Sequence, residues 1–242
     1  MNEILSLFDE KGKLLPLEEI QKSIEEVYSE LEKDQNKVFN SDSVLADLIT
    51  PEAQFSIDSA IDNATFVDRA IYIDDAILPE TAGKINRQIN FWNIVDDTDE
   101  VPPEERIPIK LYINTPGGDL PAALSIIDTI ILSRTPVWTI TIATGYSAGF
   151  FIGIAGHKRF AYPRASFLFH EGCFVNGGDA HKFLQGANFY EKQLEQLKEL
   201  VLEKTSISEE MYEKHKKDDL WLLADEALKY NIVDAILNKE EL

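Results

Sequence analysis

Cysteine occurs once in the 242 residues, at Cys173, so no disulfide can close within the chain. Long apolar runs are missing as well: none approaches the roughly 18 residues of a membrane helix, and no membrane partner is expected. Positive charge is scarce, with 23 Lys and Arg against 43 Asp and Glu and a formal net charge of −20. Such a surface repels phosphate backbones and anionic headgroups, which argues against a nucleic-acid partner. The opening MNEILSLFDEKGKLL lacks the basic start and uninterrupted apolar core of a secretory signal, making the cytoplasm the expected compartment. Internal repeats and low-complexity tracts are also missing, and no metal or cofactor enters the expectation.

What is present suffices for one sizeable core and an appendage: 44% of the residues are hydrophobic and 10% aromatic. Residues 1–66 are acidic and glycine-poor, with one amphipathic helix signal in Leu17, Ile20, Ile24, Val27, Tyr28 and Leu31 after Pro16. From there to residue 242 short β-branched runs alternate with helical patterns, the mark of an α/β domain around a mostly parallel sheet. The expected strands are AIYI (70–73), IKLYI (109–113), VWTITI (137–142), SFLFH (166–170) and IVDAI (232–236). A helix carrying Ile85, Ile89 and Trp92 separates the first two. After it, VDDTDEVPPEERIP (95–108) reads as a solvated acidic loop.

Two glycine-bearing turns carry the chemistry. GYSAG (145–149) fits G-x-S-x-G and follows a strand, so Ser147 belongs at a strand-to-helix turn, a setting used both for nucleophiles and for tight helix-on-sheet packing. NTPGGD (114–119) follows the preceding strand, with Asp119 as N-cap and Pro121 in the first turn of a helix. Glycines there either bring an amide up to a ligand or serve a turn of positive φ. The chain between Gly118 and Ser147 fits one helix and one strand, so both turns fall at the same ends of neighbouring parallel strands. A serine hydroxyl needs a base. Of His157, His170, His181 and His215, only His170 ends an expected buried strand. An α/β-hydrolase would run Ser, Asp or Glu, then His, and this chain follows another order. The acidic pair Asp218 and Asp219 offers two orienting carboxylates, or simply the cap of a helix. Cys173, three residues beyond His170 on the other face of an extended chain, is a bystander.

Together these segments resemble the ClpP serine peptidases, from about Asp68 to Leu237. DRAIYI is similar to the family's first core strand and LYINTPGGD to its Y-I-N-S-P-G-G segment. GYSAG stands at its A-S-M-G turn, GHKRFAYPRASFLFH matches the run ending in the catalytic histidine, and DLWLLADEALKYNIVDAIL its C-terminal helix and strand. The resemblance implies a ClpP/crotonase-like core of repeated β-α-β units with a protruding handle helix at about 180–204, to which this chain adds an N-terminal helical extension of its own. It implies Ser147 as nucleophile, His170 as general base, Asp219 as its orienting carboxylate, and the amides of Gly118 and Ala148 as the oxyanion hole. Peptides or unfolded proteins would be the substrates, bound as an added β-strand beside the segment that precedes the handle. The assembly would be a homo-oligomeric heptameric ring or double ring, served by a Clp-type ATPase.

Two other readings accompany this one, a crotonase-fold acyl-CoA enzyme and a non-catalytic ClpP-like subunit. Four departures mark the chain: the long segment before the core, Glu171-Gly172 in place of Gln-Pro, Asp218 in place of an arginine that bonds across the ring interface, and the acidic insert at 96–106. The stripe Phe183, Ala187, Tyr190, Leu194, Leu197 and Val201 gives the handle an apolar face.

Overall fold

The alternation of strand and helix signals becomes a seven-stranded sheet in a computed structural model that describes residues 61–172, 179–216 and 218–238. The chain divides into two units, Met1–Asp68 and Arg69–Leu242. Of the first, only 61–68 are described, and 61–67 are helical. The helix expected from Leu17 to Leu31 lies outside the described residues.

In the second unit, β1 (Ala70–Ile73), β2 (Ile109–Thr115) and β3 (Val137–Tyr146) run parallel in that order. The helices α1 (Pro79–Thr98) and α2 (Leu120–Ile131) connect them. β3 is long enough to take two neighbours on one edge. Trp138–Thr141 pairs with β4 (Lys158–Ala161), and Thr144–Tyr146 pairs with β5 (Ser166–Phe169). Beyond β5 the sheet gains an antiparallel pairing, to β6 (Leu220–Leu223), while β7 (Ala235–Ile236) adds to β4. α3 (Ala148–Ile154) leaves β3 directly. α4 (Ala180–Lys204), α5 (Glu209–His215) and α6 (Ala224–Lys229) complete the unit.

Alternation in β2 sends Ile109, Leu111, Ile113 and Thr115 into the core and leaves the other face partly exposed, where Tyr112 stacks on Tyr72 of β1. α3 carries no polar side chain, and all seven of its residues are buried. Gly149 lets it settle on the end of β2: a Cβ there would lie 2.4 Å from Thr115 Cγ2. The helix expected at 180–204 is α4. Its buried residues, Leu197, Leu200 and Val201, lie in the C-terminal half, while Phe183, Leu184 and Phe189 are exposed near its start.

The structure corrects the acidic loop. Helix α1 continues through Thr98, and Asp96 is buried rather than solvated. Arg69 clasps it with two bonds of 2.7 and 2.8 Å, Thr135 Oγ1 donates to it at 2.6 Å, and Trp92 lies under the guanidinium. Asp97 holds Arg106 and Arg134. A run of like charges looks solvated only while its partners, tens of residues away in sequence, are ignored. Of this segment, only residues 99–108 lie outside regular helix and strand, with a short 3-10 turn at Pro103–Glu105.

Strand limits shift too. IVDAI is strand only at Ala235–Ile236, because Asp234 is engaged with Arg159 on β4 through both backbone and carboxylate. LWLL, grouped at first with the C-terminal helix, is β6, and β4 was not expected at all.

Candidate active site

Ser147 sits between β3 and α3 with φ 54° and ψ −119°, outside the regions a β-carbon allows comfortably. Such a conformation costs on the order of 1–3 kcal/mol and persists only where its surroundings fix it. Two features fix it here. Its amide donates to Leu168 O on β5 at 2.9 Å, and the apolar helix that follows is locked in the core. The result is a sharp strand-to-helix elbow that presents a hydroxyl at the end of the sheet.

Strand register brings the other side chains to the same edge. Tyr146 pairs with Leu168, and Phe169 pairs with Leu220. His170 therefore leaves β5 just past the elbow, and Asp219 enters β6 opposite it. His170 Nδ1 lies 3.2 Å from Asp219 Oδ1, with side-chain exposures of 29% and 49%. The carboxylate beside the imidazole belongs to Asp219; its neighbour Asp218 is exposed, and no bond from it to His170 is found among the described residues. A carboxylate at Nδ1 holds the ring proton on that nitrogen and leaves Nε2 as an acceptor.

The glycine turn approaches the elbow from β2. Gly117 has φ 102°, and a Cβ on it would lie 2.7 Å from Ser147 Cβ and 3.1 Å from the Ala148 amide nitrogen. At Gly118 the limit is close approach: a Cβ would stand 2.2 Å from Ile77 O. Ile77 N donates to Gly117 O at 2.9 Å and Asp119 N to Ile77 O at 2.8 Å, so the segment before α1 holds one edge of the turn. Thr115 Oγ1 accepts from Gly117 N and donates to Asp75 O, and Asp119 caps α2 through Ala122 N. Ala148 is the first residue of α3, so its amide has no carbonyl partner within the helix. Among the described residues, neither that amide nor the one on Gly118 donates to a protein acceptor. Two amides on the ends of adjacent strands, next to a serine hydroxyl, can receive charge that develops on a carbonyl oxygen.

Several supporting residues gave no sequence signal. Ile77 and Leu168 act through backbone atoms, which any residue supplies. Thr115 is one more polar residue at a strand end. Glu171, which follows His170, is held by Tyr190 and Tyr212 from two helices far along the chain. Cys173 and the segment expected to line the substrate, 174–178, lie outside the described residues. Among the described residues, no group of three or more His, Cys, Asp or Glu could hold a metal ion, and no helix is long and apolar enough to cross a membrane.

A mostly parallel α/β sheet thus carries a serine elbow and a His–Asp pair at its edge, and comparison with known proteins gives the family. The model of the Clp protease family matches residues 56–240, and the chain belongs to that family. It is similar to the ATP-dependent Clp protease proteolytic subunit 2 of Mycolicibacterium paratuberculosis, with 29% identity over 198 residues, covering 81% of this chain and 95% of that protein. The resemblance drawn from LYINTPGGD and GYSAG is thus borne out, and the family's activity is that of a peptidase.

Proposed function

We propose that the chain is a serine endopeptidase of the Clp type, cutting peptides or unfolded polypeptides through Ser147, His170 and Asp219. The observation that carries this reading is the 3.2 Å contact between His170 Nδ1 and Asp219 Oδ1 beside the strained Ser147 elbow. His170 Nε2 takes the hydroxyl proton as Ser147 Oγ attacks the scissile carbonyl, and later returns it to the leaving amine. Asp219 keeps the imidazole in the required tautomer and stabilises its positive form. The amides of Gly118 and Ala148 bind the oxyanion, and losing one such donor typically costs about 3–4 kcal/mol of transition-state stabilisation. Water then hydrolyses the acyl-enzyme by the same route.

Substrate selection rests with assembly. Seven copies form a ring, alone or paired, that encloses the sites in the cytoplasm. An ATP-driven unfoldase delivers the chains, in keeping with the name of the mycobacterial relative. The region before residue 69 is an appendage to the peptidase unit. Cleavage of a fluorogenic peptide tests the assignment: His170→Ala and Asp219→Asn each lower kcat by about a thousandfold or more, and Asp218→Asn leaves it near native. Full activity in His170→Ala, or sensitivity of Asp218 in place of Asp219, contradicts the assignment.

A further inference from the structure

The residue after His170 is bound at every polar group it has. The Glu171 amide donates to Lys216 O at 3.2 Å, its carbonyl accepts from Tyr190 Oη at 2.8 Å, and its carboxylate Oε1 accepts from Tyr212 Oη at 3.1 Å. The three partners come from the end of α5, the middle of α4 and the interior of α5. Tyr212 is itself buried and packs its ring 5.0 Å from that of Phe169, the residue before His170. Burial, reinforced by the Glu171 charge, pushes its phenol well above the ordinary value of 10, so the hydroxyl remains a donor. At Gly172 the chain turns beneath the Tyr190 hydroxyl, which a Cβ at that position would meet at 3.6 Å.

A surface glutamate needs none of this. On a strand end that requires only termination, water would satisfy all three groups, and a side chain free to move costs less entropy. Fixing amide, carbonyl and carboxylate together leaves the main chain at 171 little freedom. The Cα of His170 then inherits its position from both sides, Phe169 in the sheet and Glu171 in the clamp. The pair it serves is itself partly solvent-exposed and, among the described residues, held by one contact of 3.2 Å, too little to fix the imidazole alone.

We propose that Glu171 is a positioning residue for His170, acting through Tyr212 and Tyr190 to hold the imidazole in register between Ser147 and Asp219; this rests on the triad reading above. Glu171 touches neither substrate nor reacting atoms in this role. Its contribution appears in kcat, since a displacement of about 1 Å at a catalytic group can cost on the order of a hundredfold.

Steady-state cleavage of a fluorogenic peptide by the full-length protein tests the inference, with circular dichroism to verify folding. Glu171→Ala and Tyr212→Phe each lower kcat by about ten- to a hundredfold at nearly unchanged KM. Glu171→Gln, whose amide oxygen still accepts from Tyr212, restores most of it. The double variant Glu171→Ala/Tyr212→Phe is no worse than either single change, because both remove one bond. Native kcat in Glu171→Ala and Tyr212→Phe overturns the inference. So does a rise in KM at constant kcat, which marks a substrate contact, or a Gln variant as impaired as the Ala variant. Should Glu171→Ala fail to fold, Tyr212→Phe, which keeps the ring in the core, and Glu171→Gln still decide. Ser147→Ala separates the two levels. Cleavage by that variant refutes the triad reading, whereas an inert Ser147→Ala beside a fully active Glu171→Ala refutes the positioning role alone.

Discussion

Ser147 holds φ 54° and ψ −119°, a conformation that glycine adopts more cheaply than any residue with a β-carbon. The strain belongs to the backbone and the proposed chemistry to the hydroxyl, so the two are separable. Ser147→Ala removes the hydroxyl and keeps the strain; Ser147→Gly removes both. The glycine variant is therefore expected to be more stable than the alanine variant by about 1–2 kcal/mol, after allowing for the extra freedom glycine gains when unfolded. Denaturant melts of the two at one protein concentration measure the difference, and an alanine variant as stable as the glycine one shows that the elbow is unstrained. At this scale much of the site was legible. G-x-S-x-G and PGGD each have a purely structural use as well, and they point to a site through their spacing, which sets both turns at the same ends of neighbouring strands, while His170 ends an apolar run. The choice between Asp218 and Asp219 could not be made from adjacent letters. It depends on the antiparallel register of β6 against β5, a property of two strands some fifty residues apart in sequence.

Elements were read well where one face is apolar and the other polar. β2 alternates, α2 is amphipathic, and both were evident. β4 was missed because KRFA inverts the usual pattern: Arg159 is buried along with Ala161 and engaged with Asp234, Asn231 and Lys204, while Lys158 spreads over Trp138 outside. β6 was concealed for the opposite reason. All four residues of LWLL are apolar, although only Leu222 is buried and Trp221 and Leu223 stand exposed, so no period could be seen. The start of β4 also carries a titratable joint. Val137 N–H donates to His157 Nδ1 at 3.0 Å, and His157 N–H returns a bond to Val137 O at 2.9 Å. Desolvation holds this imidazole below its usual 6.5, although the residue as a whole is exposed. Since the folded state favours the neutral ring, its contribution is complete above about pH 6.5 and is lost as the pH falls through the lowered folded value. His157→Asn, which keeps an acceptor for Val137 but does not titrate, should lose less stability than the native protein between pH 7.5 and 5.5. Equal losses in urea melts at the two pH values would remove His157 from the acid response.

For the molecule as a whole, a net charge of −20 and exposed apolar side chains near the start of α4 act against each other. In the proposed ring, Phe183, Leu184 and Phe189 would favour association of this helix with a second copy, whereas charge, including exposed Asp218, would oppose it. Screening shortens the reach of that repulsion from about 30 Å at 0.01 M ionic strength to about 8 Å at 0.15 M. Pairing of rings should accordingly strengthen with salt. Sedimentation velocity at low and high ionic strength measures it: a monomer under every condition contradicts the ring, and a double ring indifferent to salt contradicts the charge argument. The acidic excess and the apolar stripe that begins at Phe183 are legible in the sequence, whereas which apolar residues stay outside depends on the fold. The proposed chamber, the positioning role proposed for Glu171 and the role proposed for His170 all rest on one proposal, that Ser147 is the nucleophile. Intact-mass and peptide-mapping analysis after exposure to a fluorophosphonate tests it most directly. A single adduct on Ser147 in the native protein, absent from Ser147→Ala, is the expected result; an adduct of undiminished yield on the alanine variant would contradict the account.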